Sequence, residues 1–181
     1  MPPKRSACVR CQATTSNRSR CTRKTCKYGF QCWQHSIKNL GLSVKKSTVP
    51  GAGLGLFAEK AFPRKKKIIE YKGEKINTTE LNRRYPGDTV GTYVVSANAN
   101  HHIDARKSPT SSIARYANDA RGTAKTNNAQ LETHDRNKVY LVTKAKAIKK
   151  DQEVLTSYGG EYWGDARGKR AKRTKRVKHT G

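Results

Sequence analysis

The sequence predicts a mostly β domain with short helices, preceded by a small metal-binding module and followed by a basic tail. Nearly all the short strand-like runs, separated by turn residues, lie within residues 42–163. All five cysteines lie between Cys8 and Cys32. Charge divides the chain at the same places, because residues 1–41 carry nine Lys and Arg and no acid, and residues 164–181 carry eight and one acid. We therefore expect three units with these bounds.

The elements of the central unit follow from local pattern. Apolar alternation and β-favouring residues predict strands, and a threonine cap followed by polar residues predicts one short helix. The predicted strands cover residues 67–71, 92–96, 102–105, 138–147 and 154–158, and the helix covers residues 78–85.

The charge balance indicates a polyanionic partner. The 181 residues include 39 Lys and Arg against 13 Asp and Glu, a formal net charge of +26. Such a balance favours nucleic acid over a membrane surface. A run of about 18 apolar residues, which a membrane span needs, does not occur, and the first residues lack the apolar core of a signal peptide. We therefore expect an intracellular protein whose clustered cysteines bind metal.

The cysteine-rich module offers six metal ligands. Close pairs such as Cys8 with Cys11 and Cys32 with His35 suit a tetrahedral site, and thiolates favour zinc. The module has few large apolar residues, so a structural zinc ion would supply folding energy. The candidate ligands are Cys8, Cys11, Cys21, Cys26, Cys32 and His35. The pattern C-x-A-T-x6-C-x10-C-W-Q-H resembles short Cys3His modules in proteins of large DNA viruses. That resemblance favours Cys11, Cys21, Cys32 and His35, with Cys8 or Cys26 as alternates.

The stretch from Val44 to Ala58, VKKSTVPGAGLGLFA, contains a turn signal and glycines at alternate positions. It resembles the opening of the SET domain, the fold of most protein lysine methyltransferases. Three further stretches match SET motifs in the same order. They are Lys67–Gly73 with Ile103–Ala105, Arg115–Asn118, and Ile148–Gly159. The resemblance covers about two-thirds of the chain and extends to the small SET proteins of large DNA viruses. It implies small β-sheets around a knot-like C-terminal segment.

Four positions depart from the SET pattern, among them Gln152 in place of a glutamate and Asn127 in place of a proline. Asp119 stands where the family usually has histidine, and Asp151 stands where it usually has glycine. Tyr158, at a predicted strand end beside Gly159-Gly160, occupies the position of the catalytic tyrosine.

The resemblance also implies a site. S-adenosylmethionine would be the methyl donor, Tyr158 the catalytic phenol, and Tyr93 and Tyr116 candidate walls of the lysine channel or, equally, core residues. Trp163 would stack on the adenine. The cofactor-binding candidates are Ala52, Gly53, Leu54, Gly55, Tyr93, Arg115, Asn118, Asp119, Tyr158 and Trp163.

The function implied is lysine methylation of a histone or other chromatin protein in the nucleus, with the basic ends bound to nucleic acid. A homodimer is possible. The alternative is an inactive SET-like protein retained as a zinc- and nucleic-acid-binding module, which the changes at Asp119 and Asp151 would favour. Thr156, two residues before the tyrosine, is smaller than the family's usual Phe or Tyr, which favours di- or trimethylation.

Overall fold

The computed structural model describes residues 8–25, 29–86, 93–106 and 111–160. Within them, the chain is mostly β, as the sequence predicts, with short helices. The strands are β1 Val9–Arg10, β2 Lys24–Thr25, β3 Leu42–Lys46, β4 Leu54–Ala58, β5 Lys67–Glu70, β6 Glu74–Asn77, β7 Val94–Ser96, β8 His101–Asp104, β9 Ala129–His134, β10 Lys138–Thr143 and β11 Glu153–Val154. The helices are α1 Trp33–His35 and α2 Thr78–Arg84, with a π-helical turn Ser36–Leu40 and 3-10 turns Ile113–Tyr116 and Asp135–Asn137.

The strands form four small antiparallel sheets. Their strand orders are β1-β2, β5-β10-β9, β11-β4-β3 and β6-β8-β7. The strand β4 lies centrally in its sheet, where Leu56 pairs with Val44 of β3 on one side and with Val154 of β11 on the other. These residues belong to the main hydrophobic core, which also includes Ile113 and Leu141. Burial of this apolar surface is the main stabilising contribution to a fold built from such short strands.

The chain after β11 is held between two separate parts of the domain. Leu155 forms an isolated parallel bridge with Asn118. The Thr156 amide donates to the Asn118 carbonyl oxygen at 2.8 Å, and the Ala129 amide donates to the Leu155 carbonyl oxygen at 2.9 Å. The backbone of the segment that leads to Tyr158 is therefore hydrogen-bonded to the Asn118 loop.

Most predicted elements occur with shorter bounds. The helix α2 begins at Thr78 as predicted, but its cap is Asn77 and not a threonine, because the Asn77 side chain accepts from the Glu80 amide at 2.8 Å. The predicted strand at 154–158 is only the two-residue β11, since the chain leaves β4 at Leu155. The sequence analysis missed β6 and β9, whose polar residues give little alternation; β9 is held by six register pairs with β10. Among the described residues, no helix has the length and apolarity to cross a membrane.

Candidate active site and metal centre

A cavity of about 940 Å³ opens where the turn before β4, the strand β7, the Asn118 loop and the C-terminal segment converge. Its volume lies at the upper end of the range typical of small-molecule sites, about 300–1,000 Å³. Of the residues singled out in the sequence, the cavity is lined by Ala52, Tyr93, Arg115, Asn118, Asp119, Thr156 and Tyr158.

Tyr158 and Asn118 are joined directly in this cavity. The Tyr158 hydroxyl donates to Asn118 Oδ1 at 3.2 Å. The Asn118 amide nitrogen donates in turn to the Leu54 carbonyl oxygen at 2.9 Å and to Ser47 Oγ at 3.1 Å. The Asn118 side chain is therefore occupied by protein partners at both ends. It acts on the cavity by fixing the phenol relative to the turn before β4.

The residue that departs from the family pattern at position 119 has a clear structural role. Asp119 is buried, and its Oδ1 accepts from the Arg121 amide and from Asn127 Nδ2, both at 3.0 Å. Its Oδ2 accepts from the Tyr158 amide at 2.9 Å. Hydrogen bonds to a carboxylate are stronger than those between neutral groups. Asp119 thus fastens the backbone of the tyrosine to the loop that carries Asn118.

Glu153 connects the same loop to the turn before β4. It is buried, and its carboxylate accepts from Ser47 Oγ at 2.6 Å, from the Thr48 amide at 2.9 Å and from the Thr48 hydroxyl. It also accepts from Asn118 Nδ2 at 3.3 Å. Burial alone would raise the pKa of Glu153, but the hydrogen bonds from Ser47 and Thr48 outweigh it, so its pKa lies below the usual value. The sequence analysis did not single out this residue.

The glycine motif acts differently from the sequence prediction. Gly53, Leu54 and Gly55 are not among the described residues that line the cavity; the tip of the turn, residues 49–52, lines it instead. The reason is that Leu54 already begins β4, which runs into the core. Gly53 has a φ of 72°, which favours glycine, and a Cβ on Gly55 would collide with the Glu153 carboxylate. The glycines therefore shape the turn and admit Glu153.

The aromatic wall of the cavity consists of Tyr71, Tyr93 and Tyr158. Tyr93 is a non-glycine residue with a φ of 67°, and its carbonyl oxygen accepts from the Tyr71 hydroxyl and the Ala105 amide, each at 3.0 Å. Burial, and next the proximity of Tyr158, raise the pKa of Tyr71 well above its usual value, so its phenol remains a neutral donor. The sequence signal for Tyr71 was its place at the end of β5 in the matched motif, but its role went unrecognised.

Tyr116 belongs to the core. It is buried in the main hydrophobic cluster and is not among the described residues that line the cavity. Its hydroxyl accepts from the Arg115 guanidinium at 2.7 Å, and that guanidinium also lies 5.6 Å from the centre of the Tyr93 ring. Of the two alternatives for Tyr116, its position favours core packing. It contacts the lining of the cavity through the hydrogen bond from Arg115. Trp163 lies outside the described residues.

The N-terminal module brings four ligand atoms together. The sulfur atoms of Cys11, Cys21 and Cys32 and a ring nitrogen of His35 all lie within 4.8 Å of one another, and all four residues are buried. His35 Nδ1 is 3.5 Å from Cys11 Sγ and 3.3 Å from Cys32 Sγ. Ligand atoms around a tetrahedral zinc ion lie roughly 3.5–3.8 Å apart, given Zn–S near 2.3 Å and Zn–N near 2.0–2.1 Å. The donor set and spacing therefore fit zinc.

The same four residues are those favoured by the resemblance to viral modules. The helix α1 places Cys32 and His35 one turn apart. The Arg23 backbone lowers the pKa of Cys21, whereas burial raises the pKa of Cys32, so a bound metal would have to stabilise the Cys32 thiolate. Cys8 is exposed, disulfide-bonded and outside the group, so it does not serve as an alternate ligand here. The other alternate, Cys26, lies outside the described residues.

Comparison with known families agrees with this geometry. The family model for the SET domain matches residues 53–159, more than half of the chain. The chain belongs to the SET domain family. A search of curated proteins finds no match. SET domains are generally S-adenosylmethionine-dependent lysine methyltransferases. The matched range contains Asn118, Glu153 and Tyr158, and it begins after the Cys/His group.

The departure from the SET pattern at position 151 also has a physical explanation. Asp151 has a φ of 66°, the left-handed conformation that glycine adopts freely. Aspartate is one of the few other residues enriched in this conformation. Its amide donates to the Ala58 carbonyl oxygen at 2.7 Å, so the turn into β11 forms without glycine at this position.

We expect Glu153→Gln to loosen the turn before β4. Glutamine retains the size but replaces one acceptor oxygen with an amide donor that faces the Ser47 and Thr48 donors. At neutral pH the free energy of unfolding should fall by about 1–3 kcal/mol, the cost of leaving buried polar groups unpaired. Denaturant unfolding measures this value, with Glu132→Gln on the half-exposed face of β9 as the control.

The pH dependence gives a second measurement. The folded pKa of Glu153 is lowered, so its stabilisation is complete above the unfolded pKa of about 4.3 and is lost as pH falls through the folded value. The difference in unfolding free energy between wild type and Glu153→Gln should therefore shrink below about pH 4. A difference that stays constant with pH would contradict the assigned role of the carboxylate.

Proposed function

We propose that this protein is a lysine N-methyltransferase that uses S-adenosylmethionine and acts on a histone or another chromatin protein. The observation that carries the proposal is the position of Tyr158. In a chain of the SET family, its hydroxyl lies at a large cavity and is fixed by Asn118, which Glu153 and the turn before β4 fix in turn. Rigid support of a reacting geometry is what methyl transfer requires.

The residues of the cavity supply alignment more than acid or base chemistry. S-adenosylmethionine, when bound, supplies a methyl group on a cationic sulfur. The turn at residues 49–52 and the Asn118 loop are the candidate binding surfaces for it, and the fit rests on the cavity volume and the glycine-bearing turn. Tyr158 and backbone carbonyl groups would make weak C–H···O contacts to the methyl group. Displacing the phenol would misalign the methyl acceptor.

The acceptor lysine must lose its proton before it reacts. A free lysine has a pKa of about 10.4. An apolar aromatic wall disfavours the charged amine, as does a nearby cation, so the cavity favours the neutral form. Tyr71 and Tyr93 belong to that wall.

Thr156 supports transfer of more than one methyl group. It lines the cavity and is buried, and its hydroxyl is without a hydrogen-bond partner among the described residues. A side chain smaller than Phe or Tyr leaves room beside the amine, and an unpaired hydroxyl is available to a ligand. The proposed product is therefore di- or trimethyllysine.

The remaining parts of the proposal concern location and structure. The N-terminal Cys/His group would hold a structural zinc ion, and the basic ends would bind nucleic acid in the nucleus, the host nucleus if the protein is viral. The basic charge outside the central unit supports this assignment. Residues 161–181 lie outside the described residues, so the contribution of the tail rests on its composition alone.

Transfer of labelled methyl groups to core histones and to nucleosomes is the decisive test. Mass spectrometry of the product should place the label on lysine and give its methylation state. The alternative function, an inactive SET-like module, predicts zinc and nucleic-acid binding without transfer to any histone. Both Asp119 and Asp151 are accommodated by the fold, which supports the proposal of an active enzyme over the alternative.

A further inference from the structure

The folded domain carries a basic surface away from the cavity. Two segments, residues 60–67 and 144–150, contain nine Lys and Arg and no acid. All nine are exposed except Lys144, which is half-buried, and none lines the cavity. This basic face consists of Lys60, Arg64, Lys65, Lys66, Lys67, Lys144, Lys146, Lys149 and Lys150.

Backbone hydrogen bonds join the two segments. Phe62 and Ile148 exchange two of them, at 2.8 and 2.9 Å. The Thr143 amide donates to the Lys66 carbonyl oxygen at 3.0 Å, and Thr143 Oγ1 accepts from the Lys66 amide at 2.8 Å. The Phe62 and Ile148 side chains are buried, so the segments are anchored to the core and the intervening basic side chains point to solvent.

The protein offsets the charges of the basic face only slightly, because Lys150 attracts the Glu59 carboxylate more weakly than Lys45 and Ser43 do. None of the nine forms a salt bridge with a carboxylate in the described parts of the chain. At its border, Glu59 is already paired with Lys45 at 2.7 Å. Concentrating nine like charges on two adjacent segments costs stability unless a polyanion binds there.

We infer that the basic face binds the phosphate backbone of duplex DNA. Phosphates on a duplex provide one negative charge per about 1.7 Å, a dense array of acceptors for a cluster of unpaired lysine and arginine side chains. Phe62, the aromatic residue of the two segments, is buried, and the neighbouring Tyr140 ring is covered by the Lys67 ammonium, 4.5 Å from its centre. The face therefore presents no open stacking platform of the kind used by single-strand binders. This inference does not depend on methyl transfer, and it assigns DNA binding to the folded domain as well as to its basic ends.

The test compares two triple variants of the full-length protein with equal loss of charge. The first is Lys66→Gln, Lys149→Gln and Lys150→Gln on the basic face. The second is the control, Lys46→Gln, Lys75→Gln and Lys138→Gln, which removes exposed lysines elsewhere on the domain. Binding to a labelled duplex DNA is measured by fluorescence anisotropy over a series of salt concentrations, and thermal unfolding verifies that each variant is folded.

At low salt, the basic-face variant should bind DNA at least about tenfold more weakly than the wild type. The magnitude of the negative slope of log K against log salt should fall by about 2.7, which is about 0.9 for each of the lost phosphate contacts. The control should retain most of the affinity and slope. Lys→Arg at the three basic-face positions should restore both, because charge is kept.

Three results would overturn the inference. Equal losses in the two variants would mean that net charge alone drives binding. An unchanged basic-face variant would assign all binding to the ends of the chain. The protein could also bind polyglutamate as tightly as DNA and lose that binding in the basic-face variant. This result would identify an acidic protein as the partner.

Discussion

Tyr158→Phe should reduce methyl transfer by at least about a hundredfold while leaving affinity for S-adenosylmethionine nearly unchanged. Phenylalanine preserves the ring that lines the cavity but removes the hydroxyl that donates to Asn118 Oδ1 at 3.2 Å. The loss is confined to the transition state, since the phenol aligns the methyl group only during transfer. Single-turnover transfer to a histone substrate, with cofactor affinity from calorimetry, separates the two effects.

Tyr140→Phe is the matched control for this experiment. Tyr140 lies in β10, where its ring contacts Lys67 and His134, and it is not among the described residues that line the cavity. The control should transfer methyl groups at the wild-type rate. Unaltered turnover in Tyr158→Phe would instead transfer the role to Tyr93 or Tyr71, the other phenols of the cavity wall.

Cys32→Ser should abolish metal binding by the N-terminal module. Wild-type protein is expected to contain about one zinc ion per chain. Cys32 Sγ lies 3.3 Å from His35 Nδ1, and the Cys32 amide donates to Cys11 Sγ at 3.2 Å, so serine removes a ligand at the centre of the group. Structural zinc contributes about 10–16 kcal/mol in small zinc modules, far more than the small cysteine-lined core can replace.

The measurements are metal content by mass spectrometry and limited proteolysis. In Cys32→Ser, residues 8–40 should become protease-sensitive, while the SET domain retains its unfolding transition. Cys8→Ser is the control for zinc content, because Cys8 lies outside the ligand group. It removes a disulfide but should keep its zinc. Carefully prepared wild-type protein without metal, or equal zinc loss in both variants, would disprove the site.

The sequence was sufficient where local chemistry carries the signal. Cysteine and histidine spacing, with the resemblance it suggested, indicated the four residues that the structure brings together. Ordered SET motifs predicted the family, which the match over residues 53–159 confirms. Turn residues and apolar alternation predicted the mostly β architecture, because side-chain period and backbone preference depend on near neighbours.

Tertiary structure alone decided how the site is supported. Asn118, Glu153 and the turn before β4 are 35 or more residues apart in sequence, yet they form one hydrogen-bonded network. No local pattern indicates that Gly55 is needed to admit the Glu153 carboxylate, or that Asp119 holds the Tyr158 backbone. Long-range packing also decided which tyrosine reaches the cavity. Tyr71 and Tyr116 both belong to the main hydrophobic core, but among the described residues only Tyr71 of the two lines the cavity.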